Sequence, residues 1–284
     1  MTKPKHIIYI HIPKTGGTSF HNSLAQNYAK ERRYHVNGMS PRKDINNFLE
    51  LPASEAVKYD LVYGHLAYGI HQPIADDYRY LSIIREPVSR VVSYYNYAKR
   101  SKHHYLHQQI RDMSFTEFIN SDITSELKNG QLRLLASDSG HDFKGDITAE
   151  HLQMVLNRQD QGTLVLGDIK KLDEFIVYLQ CTLFPDFDFR YITRNATRSG
   201  LNKSGISETD LKKVREMNAL DIALYDEVID RAKSLQAKVD GFEKHLDTFR
   251  TQNEQYQKHY RYSFQYFWDY LKKIRRDNFL IYND

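Results

Sequence analysis

Ile7-Ile8-Tyr9-Ile10-His11-Ile12-Pro13-Lys14-Thr15-Gly16-Gly17-Thr18-Ser19 begins as an apolar run and breaks into a turn built on paired glycines. The run predicts a strand over 7–12, and the residues after the turn predict a helix from about Thr18. Gly16 and Gly17 can take positive φ and let a bound group approach the backbone. Successive N–H groups in such a turn, followed by a helix N-terminus, form a concave anion site. Lys14 adds a point charge, and Thr15, Thr18 and Ser19 add hydroxyl donors. The occupant such a site suits is a phosphate or a sulfate. In the Mg²⁺-nucleotide loop the Lys-Ser/Thr pair follows the last glycine. Here the lysine precedes both glycines and no acidic metal partner is evident downstream, so the turn predicts anion binding without a dedicated metal.

A second stretch answers the first. Leu81–Ile84 is a short apolar strand with Arg85 at its C-terminal end, and Pro87 suits the first turn of the helix that follows. On that helix Ser89 and Ser93 share a face, as do Arg90 and Tyr94. Arg85 and Ser93 converge above the strand ends, where open α/β sheets bind ligands. A guanidinium with a hydroxyl suits a terminal phosphate.

The two motifs together resemble the sulfotransferase superfamily, in the branch of the heparan sulfate 2-O-sulfotransferases and bacterial carbohydrate sulfotransferases. Tyr63-Gly64-His65, Asn129–Leu135, Val165–Asp168 and Asn218–Tyr225 continue the likeness in order, over roughly residues 5–230. The resemblance implies a P-loop-like fold and the donor 3′-phosphoadenosine-5′-phosphosulfate (PAPS). Lys14, Thr15, Gly16, Gly17, Thr18 and Ser19 would hold its 5′-phosphosulfate. Arg85 and Ser93 would hold its 3′-phosphate, with Arg198 and Lys203 closing from a late basic loop. Lys14 would balance charge on the leaving phosphate oxygen and His65 would be the catalytic base. The heparan 2-O enzymes carry a second histidine where this chain has Tyr63. Tyr63 and His71 are therefore candidates for the acceptor side, and His71 is also an alternate base. The implied acceptor is a hydroxyl, on a saccharide by preference, and no metal is expected.

The predicted elements alternate: strands at 7–12, 61–63, 80–84, 163–166 and 187–193, helices at 18–32, 87–102, 115–120, 125–136, 148–157, 170–183 and 208–235. Residues 33–60 read as a polar connector. Such alternation predicts an α/β fold with a parallel sheet flanked by helices, with a donor-binding domain over 1–235 and a helical extension over 236–284. In that extension Phe242, Leu246, Phe249, Asn253, Tyr256, Tyr260, Ser263, Phe267, Tyr270 and Ile274 follow a three-four spacing. This coiled-coil-like seam predicts self-association or a cap on the acceptor side.

Composition narrows the class. Of the 284 residues, one is cysteine, which excludes an intrachain disulfide and fits a reducing compartment. Cys181 falls in an apolar helix and reads as a buried small hydrophobe. The first strand starts within six residues and no apolar run could span a bilayer, so a cytoplasmic protein is expected. Residues 1–230 hold 29 cations and 29 anions, and residues 231–284 hold 11 against 7. The net charge of +4 therefore lies in the tail, and no motif supports nucleic-acid binding. Two rival classes remain open: a metal-dependent nucleoside or sugar kinase, and a non-catalytic nucleotide-binding scaffold.

Overall fold

Five parallel strands carry the fold, and the structure, a computed structural model, describes residues 4–74, 77–193 and 201–261. The chain begins β1 (His6–Ile10), α1 (Thr18–Ala25), β2 (Arg33–Val36), α2 (Pro41–Leu49), α3 (Ala53–Ala56), β3 (Leu61–Gly64) and β4 (Tyr78–Ile84). There follow α4 (Pro87–Arg100), α5 (His107–Ile110), α6 (Phe115–Ile119), α7 (Gly130–Leu135), α8 (Ala149–Asp160) and β5 (Leu164–Asp168). The last helices are α9 (Leu172–Thr182), α10 (Glu208–Met217), α11 (Ala219–Gln236) and α12 (Phe242–Arg261). Strand order is β2-β3-β1-β4-β5, so β1 lies at the centre.

A central parallel strand is covered on both faces, which is why β1 reads as an unbroken apolar run. Ile8 and Ile10 pack with Phe48, Leu132, Leu135, Val155 and Leu224 on one face. Ile7 and Tyr9 pack with Phe20, Leu24, Phe175, Leu179 and Phe249 on the other. The register pairs Ile10 with Gly64 of β3 and with Ser82 of β4. The turns after these three strands therefore open along one rim.

Two helix starts cap one another. Asp221, with no exposed surface, accepts the backbone N–H groups of Gln131 (3.0 Å) and Leu132 (2.9 Å) at the start of α7. In return Asn129 Oδ1 accepts from the N–H groups of Leu220 (3.1 Å) and Asp221 (3.0 Å) at the start of α11. Asn129 takes left-handed φ of 49°, which asparagine tolerates better than most residues. This exchange satisfies donors that a helix N-terminus otherwise leaves orphaned.

Several sequence expectations need correction. The helix expected to run to Arg32 ends at Ala25, and Arg33-Tyr34-His35-Val36, read as connector, forms edge strand β2. Its half-polar composition hid it. Residues 187–193 form no strand, because side chains of α1 and α12 bind their backbone instead. Gln26 donates to the Asp188 and Arg190 carbonyls, Ser19 donates to the Ile192 carbonyl, and Asn253 accepts from Tyr191 N–H. The helix expected over 208–235 divides at Asn218, and that over 125–136 divides at Asn129. Cys181 is exposed on α9, not buried.

The first part of the C-terminal seam packs on the chain itself: Phe242, Leu246 and Phe249 are buried against α9, and Asn253 is buried against Tyr191. The seam beyond Arg261 lies outside the described residues. Among those described, no helix is long and apolar enough to cross a membrane.

Replacing Asp221 with alanine orphans two buried N–H groups, each costing about 1–3 kcal/mol. Urea denaturation of Asp221→Ala should show that loss with an unchanged slope; a midpoint equal to that of the unmodified protein would remove the carboxylate from this role.

Candidate active site

The turn after β1 is tightly shaped. Gly16 has φ of 76°, and a Cβ there would stand 3.0 Å from Ile169 just beyond β5. A Cβ on Gly17 would stand 2.3 Å from the Tyr9 hydroxyl. Gly17 is therefore required by space and Gly16 by its positive φ, and they leave the backbone bare at the start of α1. Lys14 itself has φ of 68°, a region that side-chain-bearing residues enter at a cost.

Arg85 holds that strained residue. Its Nη1 donates to the Lys14 carbonyl at 3.1 Å. Arg85 is itself clamped, since its N–H donates to Gln131 Oε1 and its carbonyl accepts from Gln131 Nε2, both at 2.9 Å. Gln131 is the residue whose own N–H Asp221 caps.

The Lys14 ammonium lies 3.9 Å over the Tyr97 ring, a cation–π contact. Among the described residues no carboxylate pairs with Lys14, Arg85 or the nearby Arg100. Burial first, then Arg100 and Arg85, pull the Lys14 ammonium down from its ordinary value to about 8. Glu86 favours the charged form of Arg85 but pairs with Lys203, so three crowded cations keep no ion-pair partner among the described residues, a setting that suits an anionic ligand.

His65 stands beside this cationic edge, at the end of β3. Its N–H donates to the Val36 carbonyl at 3.2 Å, and its ring lies over Gly38, where a Cβ would come within 2.7 Å of it. The strand register sets His11 next to it, with ring centroids 5.0 Å apart. Burial, then His35, lowers the His65 imidazole below its ordinary value. It is accordingly neutral near pH 7 and free to accept a proton.

The other predicted site residues fall in different places. Gly16, Gly17 and Thr18 frame the bare turn. Thr15 and Ser19 are turned inward: the Thr15 hydroxyl donates to the Ile12 carbonyl at 3.0 Å and the Ser19 hydroxyl to Ile192 at 2.9 Å. A hydroxyl has one proton to give, so neither offers it to an anion here. Ser93 is half-buried on α4. Lys203 is brought to the start of α4 and ion-pairs with Glu86, the cap of that helix. Tyr63 packs between His21 and His35, at 4.7 and 4.8 Å. Arg198 lies outside the described residues.

His71 does not reach the rim. Its Nδ1 is 2.8 Å from the Tyr80 hydroxyl and its ring is 4.0 Å from Tyr78, the first residue of β4. Arg85 follows the last residue of that strand, about 20 Å away at the usual rise. His71 lies six residues past His65 in sequence, yet by then the chain between β3 and β4 has reached the opposite end of the sheet.

Gln131, Tyr97, His21 and His35 escaped the sequence reading as site residues. Gln131 had a partial signal in the Asn129–Leu135 stretch; the histidines have none short of the strand pairing. A cavity of about 360 Å³ opens beside Ser19, lined by Asn22, Gln26, Arg190, Tyr191 and Tyr256, so the end of α12 lies across a groove from α1.

The model of the sulfotransferase family matches residues 1–265. The chain belongs to that family. It is 34% identical over 113 residues to heparan sulfate 2-O-sulfotransferase hst-2 of Caenorhabditis elegans, covering 34% of this chain and 33% of that protein. Heparan sulfate 2-O-sulfotransferase 1 of Gallus gallus is 32% identical over 109 residues, 33% of this chain and 29% of the relative. Heparin sulfate O-sulfotransferase of Drosophila melanogaster is 29% identical over 110 residues, 33% and 30% of the two chains. The matches span about a third of the length of these curated relatives.

The charge on Lys14 yields a pH prediction. The lowered value means the free ammonium is lost as pH rises through about 8. A bound anion favours the charged form, so affinity must fall with rising pH above that point. Calorimetry with inorganic sulfate, whose own charge is constant, should show affinity level below about pH 7 and falling by up to about tenfold per unit above 8. Lys14→Arg should flatten the fall. A level profile to about pH 9.5 in the unmodified protein would separate Lys14 from the anion.

Proposed function

We propose that the protein is a PAPS-dependent O-sulfotransferase that moves a sulfuryl group to a saccharide hydroxyl. The observation that carries this reading is the meeting of Lys14 and Arg85, neither ion-paired among the described residues, at a turn with no room for side chains. The family supports sulfuryl transfer, and the names of the matched relatives direct attention to a glycosaminoglycan acceptor.

Sulfuryl transfer, like phosphoryl transfer, passes through a loose in-line arrangement with charge on the equatorial and leaving oxygens. In this reading Lys14 balances charge on the phosphate oxygen as the sulfur–oxygen bond breaks. The N–H groups of Gly16, Gly17 and Thr18 face the equatorial oxygens. Arg85 does two jobs: it pins the Lys14 carbonyl through Nη1 and offers its remaining N–H groups to a phosphate. Lys203 and Ser93 border the same place at α4. His65 takes the acceptor proton as the new oxygen–sulfur bond forms. The neutral state of His65 supports that assignment.

A thermal-shift assay separates donor classes, with stabilisation expected from adenosine 3′,5′-bisphosphate without Mg²⁺; stabilisation by ATP-Mg²⁺ alone would favour a kinase. Labelled PAPS with 2-O-desulfated heparin and a panel of neutral saccharides should then show transfer. Lys14→Ala and Arg85→Ala should weaken bisphosphate binding by about 10–100-fold, the loss of one charge-assisted contact. His65→Ala should bind it within about twofold yet lose about 10²–10⁴ in kcat. Sulfuryl transfer by His65→Ala at the unmodified rate would exclude His65 as the base.

A further inference from the structure

Ser93, Tyr97 and Arg100 recur at spacings of four and three along α4 and so share one face of it. Tyr97 and Arg100 bring that face to the turn after β1. The Lys14 ammonium stands 3.9 Å from the centroid of the Tyr97 ring, while Arg85 holds the backbone carbonyl of the same lysine. Side chain and backbone of Lys14 are thus held from two elements, α4 and the end of β4.

The ring is propped in turn. His104, just beyond α4, lies edge-on to it at 5.4 Å. His104 also meets the buried Tyr94 edge-on at 5.4 Å and stacks on Tyr105 at 4.8 Å. Tyr97 itself is 38% exposed, which leaves this place open to a dissolved ion. Among the described residues neither the Tyr97 hydroxyl nor the Lys14 ammonium makes a hydrogen bond. The ring face is therefore what α4 offers the lysine, and the three ammonium N–H groups stay unclaimed.

The charged and titratable groups around the ammonium are Arg85 after β4, Arg100 on α4, His104 beyond it and His11 on its own side of the turn. None is an acid, and Glu86 beside Arg85 is taken by Lys203. Burial, Arg100 and Arg85 all favour loss of the Lys14 proton. An aromatic face carries the negative part of a quadrupole, so it stabilises a cation within about 6 Å without neutralising it. A carboxylate in the same place would hold the lysine too, but it would cancel the charge and repel an incoming phosphate or sulfate.

We propose that Tyr97 is a positioning residue for Lys14: its ring seats the ammonium at the turn, protonated and with its charge uncancelled, for the anionic end of the donor. The purpose of the seat rests on the proposed meeting of Lys14 with that donor.

The test reads Lys14 itself. In the full chain, the rate at which acetic anhydride modifies Lys14, followed by mass spectrometry from about pH 6 to 10, gives the titration of that amine with no donor present. Tyr97→Leu, which removes the ring, should move the titration down by about half to one unit, and Tyr97→Phe, which keeps it, should leave it in place. Calorimetry with inorganic sulfate should follow: Tyr97→Leu binds about two- to fivefold more weakly than Tyr97→Phe near pH 8, and within about twofold of it near pH 6. Tyr97→Glu should raise the Lys14 titration yet weaken sulfate by about tenfold. A titration unmoved in Tyr97→Leu, or moved equally in Tyr97→Phe, would overturn the seat. Sulfate bound by Tyr97→Glu as tightly as by Tyr97→Phe would overturn the uncancelled charge as its point. A titration that moves in Tyr97→Leu while sulfate affinity ignores it would uphold the seat and remove Lys14 from the anion, so the two readings fail separately.

Discussion

One buried carboxylate holds the candidate site together. Asp221 caps the start of α7, and so fixes Gln131; Gln131 clamps both backbone polar groups of Arg85; Arg85 pins the carbonyl of a left-handed Lys14. Four residues from four parts of the chain thus form one hydrogen-bonded line, anchored in a helix more than 200 residues from the turn it supports. Burial pushes the Asp221 carboxyl up, against the pull of Arg90 and of its two N–H donors. A strained backbone persists only where its surroundings over-determine it, and this line provides that. The reciprocal cap of Asn129 on α11 keeps the anchor in place.

The rim has two electrostatic halves on either side of β1. On the β4 side Lys14, Arg85 and Arg100 have no ion-pair partner among the described residues, with Glu86 beside Arg85 held by Lys203. On the β3 side burial lowers all four imidazoles, neighbouring imidazoles lower His11, His21 and His65 further, and Asp44 opposes the effect at His35. Crowding cations makes each easier to deprotonate, and bringing in an anion reverses that. Neutral imidazoles beside a cationic pocket are the state in which one of them can take a proton. The central position of β1 puts both halves within one turn of each other.

Much of this was legible in the residues. The apolar run into a paired-glycine turn identifies β1 because no other element suits that pattern. Arg85 before Glu86-Pro87 marks a strand end passing to a helix, and the structure puts it where the turn is. β2 was not legible, since Arg33, Tyr34 and His35 carry little apolar signal at an edge. Nor was the irregular path of 187–193, whose strand-like residues Phe187, Phe189, Tyr191 and Ile192 find their backbone partners in side chains of α1 and α12. The contacts of the Thr15 and Ser19 hydroxyls were hidden for the same reason: they go to carbonyls close in space and invisible in sequence.

The sequence by itself determined the parallel α/β class, the glycine turn after β1 and the cations at two strand ends, because these follow from local pattern and from residue chemistry. The tertiary structure alone decided which histidines meet. His11, His21, His35 and His65 are scattered over 55 residues without a period. Only the register of three parallel strands, with α1 laid across them, gathers them into a row, while the same packing carries His71 to the far end of β4. Pairing between strands distant in sequence is fixed by the burial of both sheet faces together.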